Sequence, residues 1–402
     1  VEKATIGIVG AGPAGMMAAL QAARAGGRVL LFDANPVVGR KLAVTGSGRC
    51  NITNSHIEPH RYACDDSAFA ARVLERFGQP HLVEFLEGIA VPVYAMADGW
   101  CYPRSGSATA VVEAFAAALE LAGVEVHTGE KVHDFTPAGE GWILSGRREY
   151  PVGRLIVAAG GAAQPNLGSR GELFPILARL GHTLRPSRPA LAPVTAEMRR
   201  LHKLQGVRMD VGLQLCRGES ILAEETGNVI FTQWGLNGPA AMDLSHLISA
   251  RPGEALDLVV NFVAGAEAEL SLQLRRFTGT AWPLKVLLAG LLPPKVARFI
   301  VHSAGLDPGI RVKDLAKAEH EVLWQQLTRT RLKVLGTRGL EFAQVSAGGV
   351  PAAEVSPETM ASCKARALFL AGEVLDVVGP CGGYNLQLAF STGALAGRAA
   401  AS

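Results

Sequence analysis

Thr5-Ile6-Gly7-Ile8-Val9-Gly10-Ala11-Gly12-Pro13-Ala14-Gly15 joins a short apolar run to a glycine-rich turn. Five residues of this kind read as a parallel strand buried on both faces. An Ala-rich helical stretch follows from Met16 to Ala25, Gly26-Gly27 stops it, and a second apolar run, Arg28 to Phe32, ends at Asp33. This is a βαβ unit with a GxGxxG turn and a carboxylate 18 positions after Gly15. Gly10 permits the tight turn, Gly12 lets backbone approach a pyrophosphate, and Gly15 lets helix and strand pack closely. Pro13 and Ala14 belong to the turn as further candidate contacts, and the helix after it faces an anion with its unsatisfied N–H groups and positive dipole end. Asp33, with Ala34 beside it, is placed to accept from a ribose diol. The motif predicts a bound dinucleotide and leaves NAD and FAD open.

Outward from this unit, the 402 residues allow two or three domains at roughly 100–200 residues each. A composition of 49% hydrophobic and 19% charged residues excludes a disordered chain. The net charge of +3 is too small to demand an acidic partner. Six cysteines without CxxC or Cys/His spacing imply no disulfide framework and no metal site, so a reduced, cytoplasmic compartment is expected. Ala4 to Ala23 carries no charge, yet its glycines and Pro13 interrupt it. It reads as strand, turn and helix, with neither signal peptide nor membrane span expected.

After Asp33 comes Gly39-Arg40-Lys41-Leu42-Ala43-Val44-Thr45-Gly46-Ser47-Gly48-Arg49-Cys50-Asn51-Ile52-Thr53-Asn54. Its small polar groups and the donor fork of Arg49 suit a second polar part of a cofactor. GRKLAVTGSGRCNITN resembles the hallmark of the bacterial flavoproteins called BaiN-like, YhiN-like or aminoacetone-oxidase-like. The likeness continues through LIVAAGG (155–161), GNVIFTQWGLNGP (227–239), GTRG (336–339), AQVSAGGV (343–350), AGEVLD (371–376) and GPCGGYNLQ (379–387). Gln164, Glu172 and Gln233 depart from the family pattern.

The resemblance implies FAD at the first glycine turn. It implies cofactor contacts from Arg40, Lys41, Thr45, Gly48, Arg49, Cys50 and Asn51, and from the backbone of Val132 against adenine. Ala159, Gly160 and Gly161 would follow from the second glycine segment. Gly372, Glu373, Asp376, Gly383, Tyr384, Asn385, Leu386 and Gln387 would follow from the closing motifs. Gly382-Gly383 permits close approach to a flat ring, and a helix starting near Leu386 would aim donors at charge on its edge.

Chain organisation agrees with an α/β fold: a Rossmann-like FAD-binding domain of the glutathione-reductase type, interrupted by an insert. The expected bounds are 1–186 and 345–402 for the FAD domain. The insert divides into a β-barrel-like part, 187–265 and 331–344, and a helical part, 266–330. Helices are expected at Phe69–Gly78, Thr109–Leu121, Leu284–Leu292, Lys295–Ala304, His320–Leu327 and 386–400, and strands at Val124–Thr128, Trp142–Leu144 and Leu155–Ala159.

Residue types set the candidates for chemistry. Cys50 and Cys381 would need thiolate character to form a redox pair, and small packing residues are the commoner case. Trp100, Tyr102 and Trp234 could wall a flat substrate; Arg49, Arg104 and Arg338 could hold an anion or pair with carboxylates. His133, His182 and His202 stand outside triad-like or metal-like spacing, and no catalytic residue is assigned. HExxH and GxSxG are absent from the sequence. A second complete GxGxxG is also absent, so NAD(P)H would dock transiently at the flavin, or the substrate itself would supply electrons.

The expectation is an FAD-dependent oxidoreductase. It would use NAD(P)H to reduce a polarised C=C bond, or oxidise a small amine, with the substrate between flavin domain and insert. Two alternatives stand beside it. One is reduction of uridine in ribosomal RNA, for which residues 187–345 hold 19 basic against 15 acidic side chains, including Arg199, Arg200, Lys203, Arg208, Arg329, Arg331 and Lys333. The other is a flavin-binding protein without turnover.

Overall fold

The computed structural model describes residues 4–402; residues 1–3, where the expected first domain begins, lie outside the described residues. The chain divides into two units, one running to Arg188 and resuming at Gln344, the other spanning Pro189–Ala343.

In the first unit the opening apolar runs become strands β1 (Thr5–Val9) and β2 (Arg28–Asp33), joined by helix α1 (Pro13–Arg24). Glu125–Thr128 (β3), Arg154–Val157 (β4) and Leu368–Leu370 (β5) complete a sheet of order β5-β4-β1-β2-β3. Every pairing in it is parallel. Ile6, Ile8, Leu31, Phe32 and Leu155 are fully buried, which explains runs that are apolar without alternation.

Both faces of this sheet are covered. A three-stranded antiparallel meander, Asp134–Ala138, Gly141–Ser145 and Glu149–Val152, brings Leu144 and Val152 over Gly7 of β1. A Cβ on Gly7 would lie 2.9 Å from Leu144 Cδ1, so the glycine inside a strand marks a close approach. Helix α2 (Tyr384–Ala401) lies against α1, with the backbones of Gly393 and Gly397 facing the carbonyl oxygens of Ala14 and Ala18. A smaller antiparallel sheet joins Thr53–Asn54, Trp100–Pro103 and Val93–Ala95.

Sheet order fixes where a ligand can enter. From β1 the chain moves to β2 and β3, then crosses to β4 and β5 on the other side of β1. The direction therefore reverses between β1 and β4, and their carboxyl ends diverge there, the arrangement that opens a crevice in doubly wound sheets.

The second unit is a closed six-stranded barrel with antiparallel pairing between its strands. Its longest hairpin pairs Arg208–Arg217 with Ser220–Phe231 around Gly218-Glu219, where Gly218 takes φ +61°. Helices Glu267–Arg276, Leu284–Ala289, Pro294–Ser303 and Lys317–Thr328 stand between the strands Asp257–Asn261 and Thr330–Thr337. Leu258, Val260, Leu270, Leu288, Ile300 and Leu323 share one core. No helix among the described residues is long and apolar enough to cross a membrane.

Candidate cofactor and substrate site

The glycine turn lies at the carboxyl end of β1. Gly10 adopts φ +104°, and a Cβ there would meet the Ala158 carbonyl oxygen at 2.4 Å. On Gly15 a Cβ would stand 1.7 Å from the Gly10 oxygen, so no side chain fits between turn and helix. Gly12 differs: its φ of −79° suits any residue, and a Cβ on it meets nothing within 4 Å. Packing and backbone strain give no reason for glycine at this position. The open space beside its backbone, at the N-terminus of α1, has room for the phosphates of a dinucleotide.

Asp33 ends β2. Its Oδ2 accepts from the Ala11 N–H at 2.7 Å, and its Oδ1 accepts from the backbone and side chain of Asn35 at 2.8 and 2.9 Å. One of these bonds fastens the glycine turn to β2, and the other two hold the turn that follows the strand. A carboxylate offers about four acceptor positions. Ala34 is exposed beside it, and Arg40 Nη1 donates to Asn35 Oδ1 at 2.8 Å. Val132, nearly buried, follows β3.

Around the crevice the distant motifs converge. Glu373, just beyond β5, pairs its Oε2 with Lys41 Nζ at 2.8 Å. Its Oε1 accepts from both the N–H and the hydroxyl of Ser346 at 2.9 Å. The Ser346 hydroxyl also accepts from Ala162 N–H at 2.9 Å. A Cβ on Gly161 would strike the same hydroxyl at 2.1 Å, and one on Gly160 would lie 2.7 Å from Ser169 Oγ. Ala159, half-buried, and Gly160 lead away from the end of β4, and Gly372 takes φ +76° against Ala14 of α1. Asp376 accepts from Gly348 N–H at 2.6 Å and from Arg185 Nη1 at 3.1 Å. The two acids of the closing motif therefore act inside the protein as braces. Ser346, which no sequence signal singled out, is the hub of one brace.

The 42–51 loop is held in unusual geometry. Gly46, Ser47, Gly48 and Cys50 all take positive φ, while Thr45 Oγ1 donates to the Leu42 carbonyl at 2.7 Å. Cys50 is fully buried, and burial pushes its thiol up to about 12, against a smaller opposing pull from Thr45. That environment opposes thiolate chemistry. None of the six cysteines lies in a disulfide. Turning the Asn51 amide lets its nitrogen donate to the carbonyls of Thr53 and Cys101.

Helix α2 begins against this loop. Gly383, with φ +90°, caps it, and a Cβ there would lie 2.3 Å from the Thr53 carbonyl oxygen. Thr53 Oγ1 donates to the buried Gln387 at 2.5 Å, and Asn385 bonds both N–H and C=O of Gly379. The Tyr384 hydroxyl accepts from Glu58 N–H and donates to His56 C=O, and Leu386 packs on the core. These side chains fix the helix start, whose first-turn N–H groups have no acceptor within the helix.

Each arginine considered for anion binding lies on an aromatic ring: Arg49 over Tyr102 at 4.5 Å, Arg104 over Tyr94 at 5.3 Å, and Arg338 over Trp234 at 5.1 Å. Trp100 sits against Gly382, 2.7 Å from the position of a Cβ there.

His182, to which sequence spacing assigned no role, finds two distant partners in the fold. Its Nδ1 lies 2.8 Å from Glu354 Oε2 and its Nε2 lies 2.8 Å from Ser362 Oγ. Sequence separations of 172 and 180 residues hide this arrangement. Ser362 Oγ also accepts from the N–H groups of Lys364 and Ala365, both at 3.0 Å, so its lone pairs hold a turn. Burial pulls the Glu354 carboxyl upward most strongly, but hydrogen bonds from Thr183 and His182 outweigh it and keep the carboxyl below its ordinary value. The cluster ties strands of chain together and presents no free nucleophile. No group of metal-ligating side chains occurs among the described residues.

Comparison with known proteins follows the same lines. The family described as HI0933-like protein Rossmann domain matches residues 4–399. The chain is 35% identical to the 3-dehydro-bile acid delta(4,6)-reductase of Clostridium scindens, across 98% of each chain. It is 32% identical to the ribosomal RNA dihydrouridine synthase of Escherichia coli, across 96% of this chain and 95% of that one. The solved structure of 3-ketosteroid delta1-dehydrogenase from Sterolibacterium denitrificans shares the fold with a TM-score of 0.53 at 12% identity, all of both chains being covered. The chain belongs to the HI0933-like family, the bacterial flavoproteins its GRKLAVTGSGRCNITN motif resembles, and is an FAD-dependent oxidoreductase.

Proposed function

We propose that this protein reduces a carbon–carbon double bond conjugated to a carbonyl group, on a small molecule, with NAD(P)H as electron donor. The observation that carries the reading is a shared bond change. A delta(4,6)-reductase of a 3-dehydro compound and a synthase of dihydrouridine both saturate a C=C bond polarised by a nearby carbonyl, and both relatives align along nearly all of this chain. FAD, when bound, supplies the hydride for such a step. The chain's own contribution is to hold and orient. Gly12 and the α1 N-terminus would receive the phosphates, Lys41 and Glu373 fix the wall of the crevice, and the α2 N-terminus would direct N–H donors at the ring edge. Roles for the other cofactor candidates named from sequence belong to the same proposal.

The second unit supports a donor that comes and goes. Its barrel and helices contain no parallel βαβ pairing among the described residues, so nicotinamide and substrate would use the flavin in turn.

The basic runs of the second unit favour a small molecule over RNA. Arg331 pairs with Glu219 and Asp257, Lys333 with Glu197, and Arg208 donates to Asn228. Three of the seven cations in those runs thus have partners within the protein.

Anaerobic mixing of the holoprotein with NADH or NADPH should bleach the flavin, and a 3-oxo-Δ4 steroid should then restore the colour. Bleaching by a primary amine, with no restoration by the enone, would contradict the reading.

A further inference from the structure

Asn35 stands two residues beyond the end of β2, and the fold engages every polar group it carries. Its N–H and its amide nitrogen donate to Asp33 Oδ1 at 2.8 and 2.9 Å. Its carbonyl accepts from Gly129 N–H, just after β3, at 2.8 Å. Its Oδ1 accepts from Arg40 Nη1 at 2.8 Å, and its amide nitrogen donates a second time, to the Leu167 carbonyl at 3.3 Å. That last bond joins positions 132 residues apart and reaches a loop that leaves β4.

The loop closes on itself. Gly171 N–H donates to the Gly161 carbonyl at 3.0 Å, so its ends meet, and Arg170 Nε donates to the Pro165 carbonyl at 3.1 Å. Compact surface loops with joined ends are frequently functional. At the tip Asn166 and Gly168 are exposed and Leu167 is half-buried. Gly168 lies so close to Asn35 that a Cβ on it would stand 2.5 Å from Asn35 Nδ2, and its φ of +111° is one that side-chain-bearing residues rarely adopt. In the sheet β1 lies between β4 and β2, and the glycine turn follows β1. A loop rooted at β4 and tied at its tip beyond β2 therefore runs across the carboxyl ends of all three strands, at the mouth of the proposed cofactor site.

From this juxtaposition we infer that Asn35 is a positioning residue for FAD: through the Leu167 carbonyl it ties the 161–171 loop across the crevice, and the dinucleotide enters and leaves when that tie opens. A 3.3 Å bond is at the long end for N–H···O, and an exposed tip gives up little burial on opening. The inference concerns how the cofactor is held, and it does not depend on the proposed enone reduction.

Two rates test it. Holoprotein loaded with radiolabelled FAD and chased with unlabelled FAD gives release, and the change in flavin fluorescence on mixing FAD with flavin-free protein gives uptake. Asn35→Ala removes the tie, while Gly168→Ala pushes the tip off Asn35 and deletes no partner of Asp33. In each variant release and uptake should both rise about 2- to 10-fold, the range for one hydrogen bond, so that the dissociation constant changes less than either rate. Combining Asn35→Ala with Gly168→Ala should give release no faster than the faster single variant, because both break one tie. Unchanged release in both single variants overturns the inference, and so does a rise in only one of them. Faster release without faster uptake also overturns it, since that is the mark of a lost contact with the cofactor. Multiplication of the two effects in the double variant does the same. Should Asn35→Ala fail to fold, Gly168→Ala decides alone: release and uptake rising together sustain the inference, and unchanged rates refute it. The assay uses no substrate, so its outcome is separate from that of the enone reading.

Discussion

Glycines of one motif do different work. Gly10 and Gly15 are required by the protein itself, because a Cβ on either would strike backbone at 2.4 and 1.7 Å, whereas Gly12 faces open space. The spacing of the motif is legible in sequence, but which glycine serves the fold and which serves the ligand is a matter of distances. Cys50 illustrates the opposite limit. Its place in a loop expected near the flavin raised a reactive reading beside the commoner one of a small packing residue, and its full burial favours packing. With the thiol pushed up to about 12 and Cys64 up to about 11 by desolvation, neither is a thiolate at pH values near neutrality. Alkylation of the native protein at mildly alkaline pH, followed by peptide mass analysis, should label exposed Cys363 and spare Cys50. Labelling of Cys50 before Cys363 would show the loop to be open.

Among the elements, α1 and α2 carry the tightest demand. Gly393 and Gly397 leave room for Ala14 and Ala18 of α1, with Cβ positions 2.2 Å from the opposing carbonyl oxygens. Gly393→Ala should therefore push α1 from α2 and cost about 1–3 kcal/mol, the usual price of overpacking. Denaturant unfolding should show a lowered midpoint, with weaker flavin retention because α1 carries the glycine turn. An unchanged midpoint would mean that the helices separate freely. Long apolar or amphipathic stretches announced these helices to within a few residues: Met16–Ala25 became Pro13–Arg24, and 386–400 became Tyr384–Ala401. The sheet of Thr53–Asn54, Val93–Ala95 and Trp100–Pro103 gave no comparable signal. Strands of two to four residues are too short to show periodicity, and tertiary pairing defines them.

For the whole molecule, the split flavin domain and the β-rich and helical character of the insert were readable from the return of glycines and apolar runs near residue 343. A barrel-like part drawing on both 187–265 and 331–344 was expected as well; the strand pair that closes it, Val194–Ala196 with Thr330–Thr337, was not legible, because the two lie at opposite ends of the insert. Contacts such as Lys41 with Glu373, 332 residues apart, leave no mark in local sequence. They nevertheless assemble the crevice at the β1/β4 reversal, where the proposed cofactor site lies. The direct test is the flavin content of the purified chain after soaking with excess FAD, beside that of Gly12→Val. The unaltered protein should hold one FAD per chain, while Gly12→Val, whose new side chain meets open space, should keep the unfolding midpoint of the flavin-free protein and bind none. A Gly12→Val protein that stays fully yellow would contradict the account.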